Sequence, residues 1–316
     1  MKQFEFRVRE QDQKTEARVG EIQTAHGIIK TPAFVPVGTQ ATVKTLTPEE
    51  LDTLGVQLFF VNTYHLYLRP GVAVIKKFGG LHRFMGWNGP LITDSGGFQV
   101  YSLGQRRYGA EVGASFLRLR QASLNSVSPS REEGRGAAQN AAPPRAVNND
   151  EDVPQLVKIT EEGVEFRSHW DGSLRQFTPE KSIEIQHALG ADIILAFDDC
   201  TPYPVTHEQA RVSMERTHRW ARRSLSASRK CKVRSRSGLF SSKLKRPYQA
   251  LYGVVQGSVY EDLRKESAKF ISAMNFDGIA IGGVSVVESK SEMAKVLNWV
   301  TPLLPFNKPR HLLGVG

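Results

Sequence analysis

Short apolar, β-branched runs punctuate the chain at 33–37, 57–61, 90–93, 192–197, 250–255, 278–281 and 311–315, with segments of helical period between them. Thr47-Pro48-Glu49-Glu50 sets a capping threonine, a first-turn proline and early acids ahead of Leu51 and Leu54. Thr178-Pro179-Glu180 does the same ahead of Ile183, Ile185 and Leu189. These are helix starts by chemistry: a side-chain acceptor for orphan amides, a residue that lacks one, and charge complementary to the dipole. Strands alternating with helices predict parallel β with crossover helices, seven strands in all. Upstream, residues 4–8, 16–19 and 27–29 alternate around polar turns, the pattern of an antiparallel hairpin or small sheet, which would cap the amino-terminal end.

Two segments break this rhythm. Residues 105–153 are expected to be an insertion whose core, 126–152, is rich in Ser, Pro, Ala, Asn and charge and has little to bury, so it reads as disordered; residues 116–119 fit a local turn of helix. Residues 228–246 read as a basic loop, with eight lysines and arginines and no acid. That loop accounts for most of the net charge of +10, leaving the rest of the chain at only +2. The basic total therefore reports a local patch, either a solvated loop or a phosphate contact, and not a uniformly basic surface. The 316 residues are enough for one α/β barrel or two smaller domains. No apolar stretch approaches the roughly 20 residues that span a bilayer, and the charged amino terminus has no signal-peptide core, so the expected location is cytoplasmic with no membrane partner. Cys200 and Cys231, the two cysteines, form no Cys-x-x-Cys pair and are expected to be free thiols.

Chemistry enters where apolar runs end in acids. Leu91-Ile92-Thr93 delivers Asp94 onto the turn Ser95-Gly96-Gly97-Phe98, and the run 193–197 ends in Asp198, Asp199 and Cys200. Carboxylates at the carboxyl ends of buried parallel strands face a ligand more often than a core.

These residues sit within nine blocks: PAFVPVGTQATVK (32–44), NTYHLYLRPG (62–71), GGLHRFMGW (79–87), LITDSGGFQVYSLG (91–104), TEEGVEFRSHWDGS (160–173), IEIQHALGADIILAFDDCTPYP (183–204), VVQGS (254–258), FDGIAIGGVSV (276–286) and LLGVG (312–316). In order and spacing the series resembles the tRNA-guanine transglycosylases. The resemblance implies one domain over 1–316: an α/β, TIM-like (β/α)8 barrel with an N-terminal antiparallel β-sheet cap. It also implies exchange of guanine for a 7-deazaguanine base at the wobble position of tRNAs with a GUN anticodon, leading to queuosine. One carboxylate would attack C1′ to form a covalent ribosyl-enzyme, and a second would handle the proton on the base nitrogen.

Asp94 matches the proton-handling acid; an aspartate capping its own turn is the alternative. Phe98 matches the ring that stacks on the base, against the alternative of a core phenylalanine. Ser95, Gly96 and Gly97 complete the substrate-binding turn, the glycines allowing close backbone approach. Asp198 matches the reader of the guanine N1–H and 2-amino group, a donor pair that adenine lacks, while Asp199 is expected to face solvent. Gln256 and the backbone N–H of Gly283 match donors to the base O6; a strand-end amide satisfying loop carbonyls, or a barrel phosphate site at Gly282-Gly283, are the alternatives. Cys200 and Val286 resemble the bacterial specificity pattern, implying 7-aminomethyl-7-deazaguanine rather than queuine as the incoming base.

The resemblance also implies an eighth strand bearing the covalent nucleophile and a later Zn2+ site of three cysteines and a histidine. Both are expected to lie beyond Gly316, so the expectations for this chain are seven barrel strands, no metal ligands and no cofactor. Homodimerisation, which the resemblance attaches largely to that later portion, is not expected of this chain alone. Two further readings stand beside the transglycosylase: a non-catalytic subunit or inactive fragment that binds base or tRNA, and an unrelated phosphate-binding barrel isomerase or aldolase. The last would want a strand-end Lys or Glu acting on a sugar phosphate.

Overall fold

A computed structural model describes residues 4–105, 157–236, 247–284 and 289–315. The alternating amino-terminal residues form an antiparallel meander of β1 (Glu5–Gln11), β2 (Arg18–Thr24) and β3 (Gly27–Thr31). Its inward residues Ile22 and Ile29 are buried against Leu58, Ile92 and Ile193. All three lie at or near the amino-terminal ends of parallel strands, so this sheet closes that end of the molecule.

The main sheet has seven parallel strands: β4 (Val37–Gly38), β5 (Phe59–Val61), β6 (Leu91–Thr93), then β10 (Ile193–Leu195), β11 (Ala250–Val255), β12 (Gly278–Ile281) and β13 (Arg310–Leu312). They are hydrogen-bonded in that order, β4 and β13 being the edges. Successive side chains alternate between two cores. Ile92, Ile193, Leu195, Tyr252, Val254 and Ala280 point into the sheet's concave side, whereas Leu91, Ile194, Leu251, Val255 and Ile279 meet the helices. Both faces are thus apolar, which is why these strands read as unbroken hydrophobic runs. The sheet curls strongly: Phe60 on β5 stacks on His311 at the far edge, with ring centroids 5.7 Å apart and planes at 10°. Rings near opposite edges of a seven-stranded sheet touch only if it bends into a TIM-like barrel wall.

The helices begin where capping chemistry placed them. In α1 (Pro48–Thr53) the Thr47 hydroxyl accepts from Glu50 N at 3.2 Å while the Glu50 carboxylate accepts from Thr47 N at 2.7 Å, a reciprocal box. After β5 come α2 (Thr63–Leu68), α3 (Val72–Lys77) and α4 (Leu81–Met85), and after β6 comes α5 (Gly97–Gln105).

A second antiparallel sheet, β7 (Val157–Ile159), β8 (Val164–Arg167) and β9 (Leu174–Phe177), precedes α6 (Pro179–Leu189), which Thr178 caps. The sequence pattern does not announce this sheet as a unit. Its strands are short, and of their residues only Val164, Phe166 and Phe177 are buried, against Tyr64 and the helices. The remaining helices are α7 (His207–Arg236), α8 (Glu261–Ser272) and α9 (Lys290–Val300).

α7 differs from expectation. The first half of the basic run expected as a loop is helical as far as Arg236. Lysine and arginine propagate a helix well, and no glycine or proline interrupts the sequence before Gly238. Residues 237–246 lie outside the described residues, as do 106–153 of the expected insertion, including its turn at 116–119. Among the described residues no helix is long and apolar enough to cross a membrane.

Candidate active site

Parallel strands carry the residues at their carboxyl ends to one side of the sheet, and here five of the seven bring the candidate residues together. β5 leads into Asn62 and Thr63, β6 into Asp94 and Ser95, β10 through Ala196-Phe197 into Asp198, β11 into Gln256, and β12 into Gly282 and Gly283.

Asp94 is buried and held by neutral donors: Asn62 Nδ2 to Oδ2 at 2.7 Å and Thr63 N to Oδ1 at 2.7 Å. The Thr63 hydroxyl donates to the Asp94 carbonyl at 2.6 Å, locking the β5 and β6 turns together. Burial pushes the Asp94 carboxyl above its ordinary range, opposed by these bonds. Asp198 is only partly buried at the residue level. Ser95 Oγ donates to its Oδ1 at 3.0 Å and Gln256 Nε2 to its Oδ2 at 2.8 Å. Burial of the carboxyl, with the charges of Asp199 and Asp94 adding, pushes Asp198 up to about 6 against those two bonds. Ser95 therefore links the turn of Asp94 to the carboxylate of Asp198. Gln256 gives one amide hydrogen to Asp198 and keeps a second.

The glycines match the need for close approach. Gly96 has φ +84°, and a Cβ there would lie 2.6 Å from the Phe177 ring. Gly283 has φ +61°, and a Cβ would lie 2.5 Å from Gln256 Oε1. Phe98, at the start of α5, is 40% exposed, so its ring is not spent in the core. Cys200 is buried just after Asp199, with Sγ 3.8 Å from the Thr201 carbonyl. Val286 lies outside the described residues. The structure thus gathers Asp94, Ser95, Gly96, Gly97, Phe98, Asp198, Gln256 and Gly283 at the carboxyl end of the sheet.

One expectation is corrected. Asp199 does not face solvent: it is buried, and Arg216 of α7 donates to its Oδ2. Asp199 N and Thr217 Oγ1 are 3.0 Å apart, and Ser213 Oγ donates to the Asp199 carbonyl at 2.8 Å. The alternation after β10 turns this residue toward α7, where a cation is waiting.

Asn62, Thr63, Arg216 and Arg264 do not emerge as site residues from sequence reasoning. The first two could have, since they come after an apolar run as Asp94 does. Arg264 could not, because nothing in a helix marks an arginine as buried. It is wholly buried on α8 and donates Nε to Ser258 O (2.6 Å), Nη1 to Val255 O (3.1 Å) and Gly282 O (2.7 Å), and Nη2 to Gly283 O (2.6 Å). One guanidinium thereby ties together the loops that carry Gln256 and Gly283.

The zinc ligands of the resemblance are not found in these residues: two cysteines, on the β10 loop and on α7, cannot provide three thiolates. Among the described residues one other group has metal-like spacing, His26, His82 and Asp192, at the opposite end of the barrel. His26 Nδ1 lies 2.8 Å from Asp192 Oδ1 and His82 Nε2 lies 3.1 Å from Oδ2, while Leu91 N donates to Oδ2 at 3.0 Å. The imidazoles are stacked, centroids 3.6 Å apart and planes at 19°. Near-parallel rings direct their in-plane lone pairs side by side rather than toward one point, so this cluster is a latch between the β2–β3 hairpin, α4 and β10 and not a coordination sphere.

The chain matches the family profile described as "Queuine tRNA-ribosyltransferase" over residues 12–131 and 147–316. It is 44% identical over 311 residues to a queuine tRNA-ribosyltransferase of Desulforudis audaxviator, covering 98% of this chain and 66% of that protein. It is 44% identical over 316 residues to one from Thermoanaerobacter sp. (strain X514), covering 100% and 67%, and 46% identical over 301 residues to one from Herpetosiphon aurantiacus, covering 95% and 60%. The chain spans about two thirds of the length of these relatives.

Proposed function

Because the chain belongs to the queuine tRNA-ribosyltransferase family, we propose that the carboxyl end of its barrel binds a guanine nucleoside of tRNA and serves its exchange for a 7-deazaguanine base. The arrangement that carries this reading is the Asp94–Ser95–Asp198–Gln256 wall, two raised carboxyls held by neutral donors around a glycine-lined opening.

Asp198 reads the base. Its carboxylate can accept from guanine N1–H and the 2-amino group in parallel, and the free hydrogen of Gln256 Nε2 with the Gly283 N–H supplies donors for O6. Phe98 offers a ring face to stack on the purine, and the absence of a Cβ at Gly96 and Gly97 lets the plane of the base come down on the backbone. Adenine reverses the donor pattern at this edge and leaves buried polar groups unpaired.

Asp94 handles the proton. A carboxyl raised by burial holds its proton more readily than a free aspartate, can give it to the departing base nitrogen as the C1′–N bond breaks, and can take one from the incoming base as that bond is remade. The covalent ribosyl-enzyme is the intermediate that fits a base-for-base exchange on one retained ribose, since it holds the sugar while the bases trade places. In this proposal the wobble position of GUN-anticodon tRNA is the target, and 7-aminomethyl-7-deazaguanine is the incoming base.

Equilibrium binding of free guanine, 7-aminomethyl-7-deazaguanine and adenine to the protein tests the recognition step. Both guanine-type bases should bind at least ~100-fold more tightly than adenine, as expected of a site built to hydrogen-bond its ligand. Equal affinity for adenine would remove Asp198 from the role of base reader.

A further inference from the structure

Outside the pocket, an exposed aromatic stands beside an exposed cation. Trp170, in the β8–β9 turn, is 50% exposed, and the Arg69 guanidinium lies 4.8 Å from its ring centroid. A second pair of the same kind is next to it, Arg175 on β9 lying 5.9 Å from the ring centroid of Tyr67 on α2.

The turn is not loose. Ser168 N donates to Ser173 O and Gly172 N to Ser168 O, each at 2.9 Å, and Asp171 Oδ1 accepts from Ser173 Oγ at 2.7 Å. Its attachment leads straight to the catalytic wall. His169 Nδ1 is 2.9 Å from the hydroxyl of buried Tyr64, and the two rings stack with centroids 5.6 Å apart. Tyr64 adjoins Thr63, whose amide donates to Asp94. Arg69 lies just past the other end of α2, a helix of six residues and so only about 9 Å long. Trp170 and Arg69 are therefore rigidly placed on the rim beside the pocket rather than in it.

Trp170 leaves part of its ring open to solvent beside the Arg69 guanidinium, and Arg69 forms no ion pair among the described residues. A planar apolar face flanked by a cation is the chemistry that takes an unpaired nucleotide: the ring stacks on the base and the guanidinium meets the phosphate. Resting on the reading of the pocket as a site for an RNA nucleoside, we infer that Trp170 and Arg69 form a stacking platform for an unpaired nucleotide neighbouring the one whose base enters the pocket.

The test uses fluorescence and anisotropy with the intact protein and an RNA stem-loop whose loop carries the target guanosine, against a blunt duplex of the same composition. The stem-loop should quench the wild-type emission, and Trp170→Phe should remove that component from the signal of the four tryptophans. Trp170→Ala should weaken stem-loop binding by about 5- to 150-fold, the worth of one base stack, and Trp170→Phe should retain most of the affinity. Arg69→Ala should lower the slope of log K against log salt by about 0.7, one phosphate contact on a single strand, which Trp170→Ala should not do. Free guanine should bind Trp170→Ala as it binds the parent. Guanine binding together with stem-loop binding and quenching indifferent to Trp170 overturns the platform and leaves the pocket standing. Loss of guanine binding by the parent protein refutes the pocket reading instead. Equal quenching by the duplex would also overturn the platform, since paired bases offer no free face. A Trp170→Ala protein that unfolds earlier but binds the stem-loop normally would make the arginine–tryptophan pair a hairpin brace and nothing more.

Discussion

Replacing Asp198 with asparagine should stabilise the ligand-free protein at pH 8 while removing its preference for guanine. The carboxyl is raised from an ordinary 3.8 to about 6, by burial first and by the charges of Asp199 and Asp94 second. Two pKa units correspond to a ceiling of about 3 kcal/mol of folding free energy lost at pH values where the group is ionised in both states. The sign comes from proton counting. Between about pH 4 and pH 6 the unfolded chain has released the proton that the folded protein still holds, so stability falls as pH rises through this window and is level above it.

Asparagine can turn its Oδ1 to Gln256 Nε2 and donate Nδ2–H to Ser95 Oγ, whose hydroxyl accepts as well as donates, so both contacts survive without charge. Exchanging a charged acceptor for a neutral amide weakens both hydrogen bonds and gives back part of the gain, leaving an expected stabilisation of about 1–2 kcal/mol at pH 8. Urea unfolding of both proteins at pH 4, 6 and 8 measures it. Asp94 and Asp199 titrate in both, so the difference reports Asp198 together with its charge coupling to those two. The gap should open between pH 4 and pH 6, and guanine should lose its advantage over adenine in the variant. An asparagine protein less stable than the parent at pH 8, or a difference independent of pH, would refute the account of Asp198 as a group held at the expense of stability for what it binds.

Arg264→Met keeps the apolar stem but strands the carbonyls of Ser258, Gly282 and Gly283 and leaves that of Val255 with the Gly282 amide alone; a loss of about 3–5 kcal/mol in urea unfolding and a weakened guanine affinity are expected, and an unchanged affinity in a folded variant would detach Arg264 from the base-reading loops. Arg216→Ala should destabilise by a similar ~3–5 kcal/mol at pH 8 because Asp199 is left buried and unpaired, and adding Asp199→Asn should recover most of it; failure of the double variant to recover would show that Arg216 acts through packing rather than charge.

How far the sequence is legible depends on what each residue must do locally. The parallel strands announce themselves because both faces are covered, at Ile92 and Leu91 as at Ile193 and Ile194. Thr47 and Thr178 announce the helices because their hydroxyls serve backbone amides three residues on. Asp94 and Asp198 stand out because an acid at the end of an apolar run contradicts its surroundings. Asp199 is misread because it adjoins Asp198, and only the fold brings Arg216 to it across α7. Arg264 and the second antiparallel sheet are illegible for a related reason: a buried arginine in an amphipathic helix, and strands of three or four residues covered on one side only, look like surface until their partners are in place.

The fate of a buried aspartate in this barrel depends on whether the donors that meet it outweigh burial, as at Asp192, or do not, as at Asp199 despite its arginine. At the amino-terminal end, burial works to raise Asp192, but hydrogen bonds and charge from His26 and His82 outweigh it and hold the carboxyl well below the ordinary range. That carboxylate stays ionised and joins a hairpin to the barrel. At the carboxyl end, the carboxyls of Asp94 and Asp198 are enclosed too but are met by amides and hydroxyls, from Asn62, Thr63, Ser95 and Gln256. Neutral donors support a carboxylate without pinning its charge, so burial prevails and both groups stay raised. The cation that α7 brings to this end, Arg216, is spent on Asp199, one residue further along. Moving a cation onto Asp94 would oppose the burial that raises it and so weaken its hold on the proton it would give to a leaving base. Among the described residues neither Asp94 nor Asp198 has a cationic partner, whereas Asp192 and Asp199 are engaged by His26, His82 and Arg216; in the proposed reaction this leaves Asp94 able to exchange a proton and Asp198 open to the base.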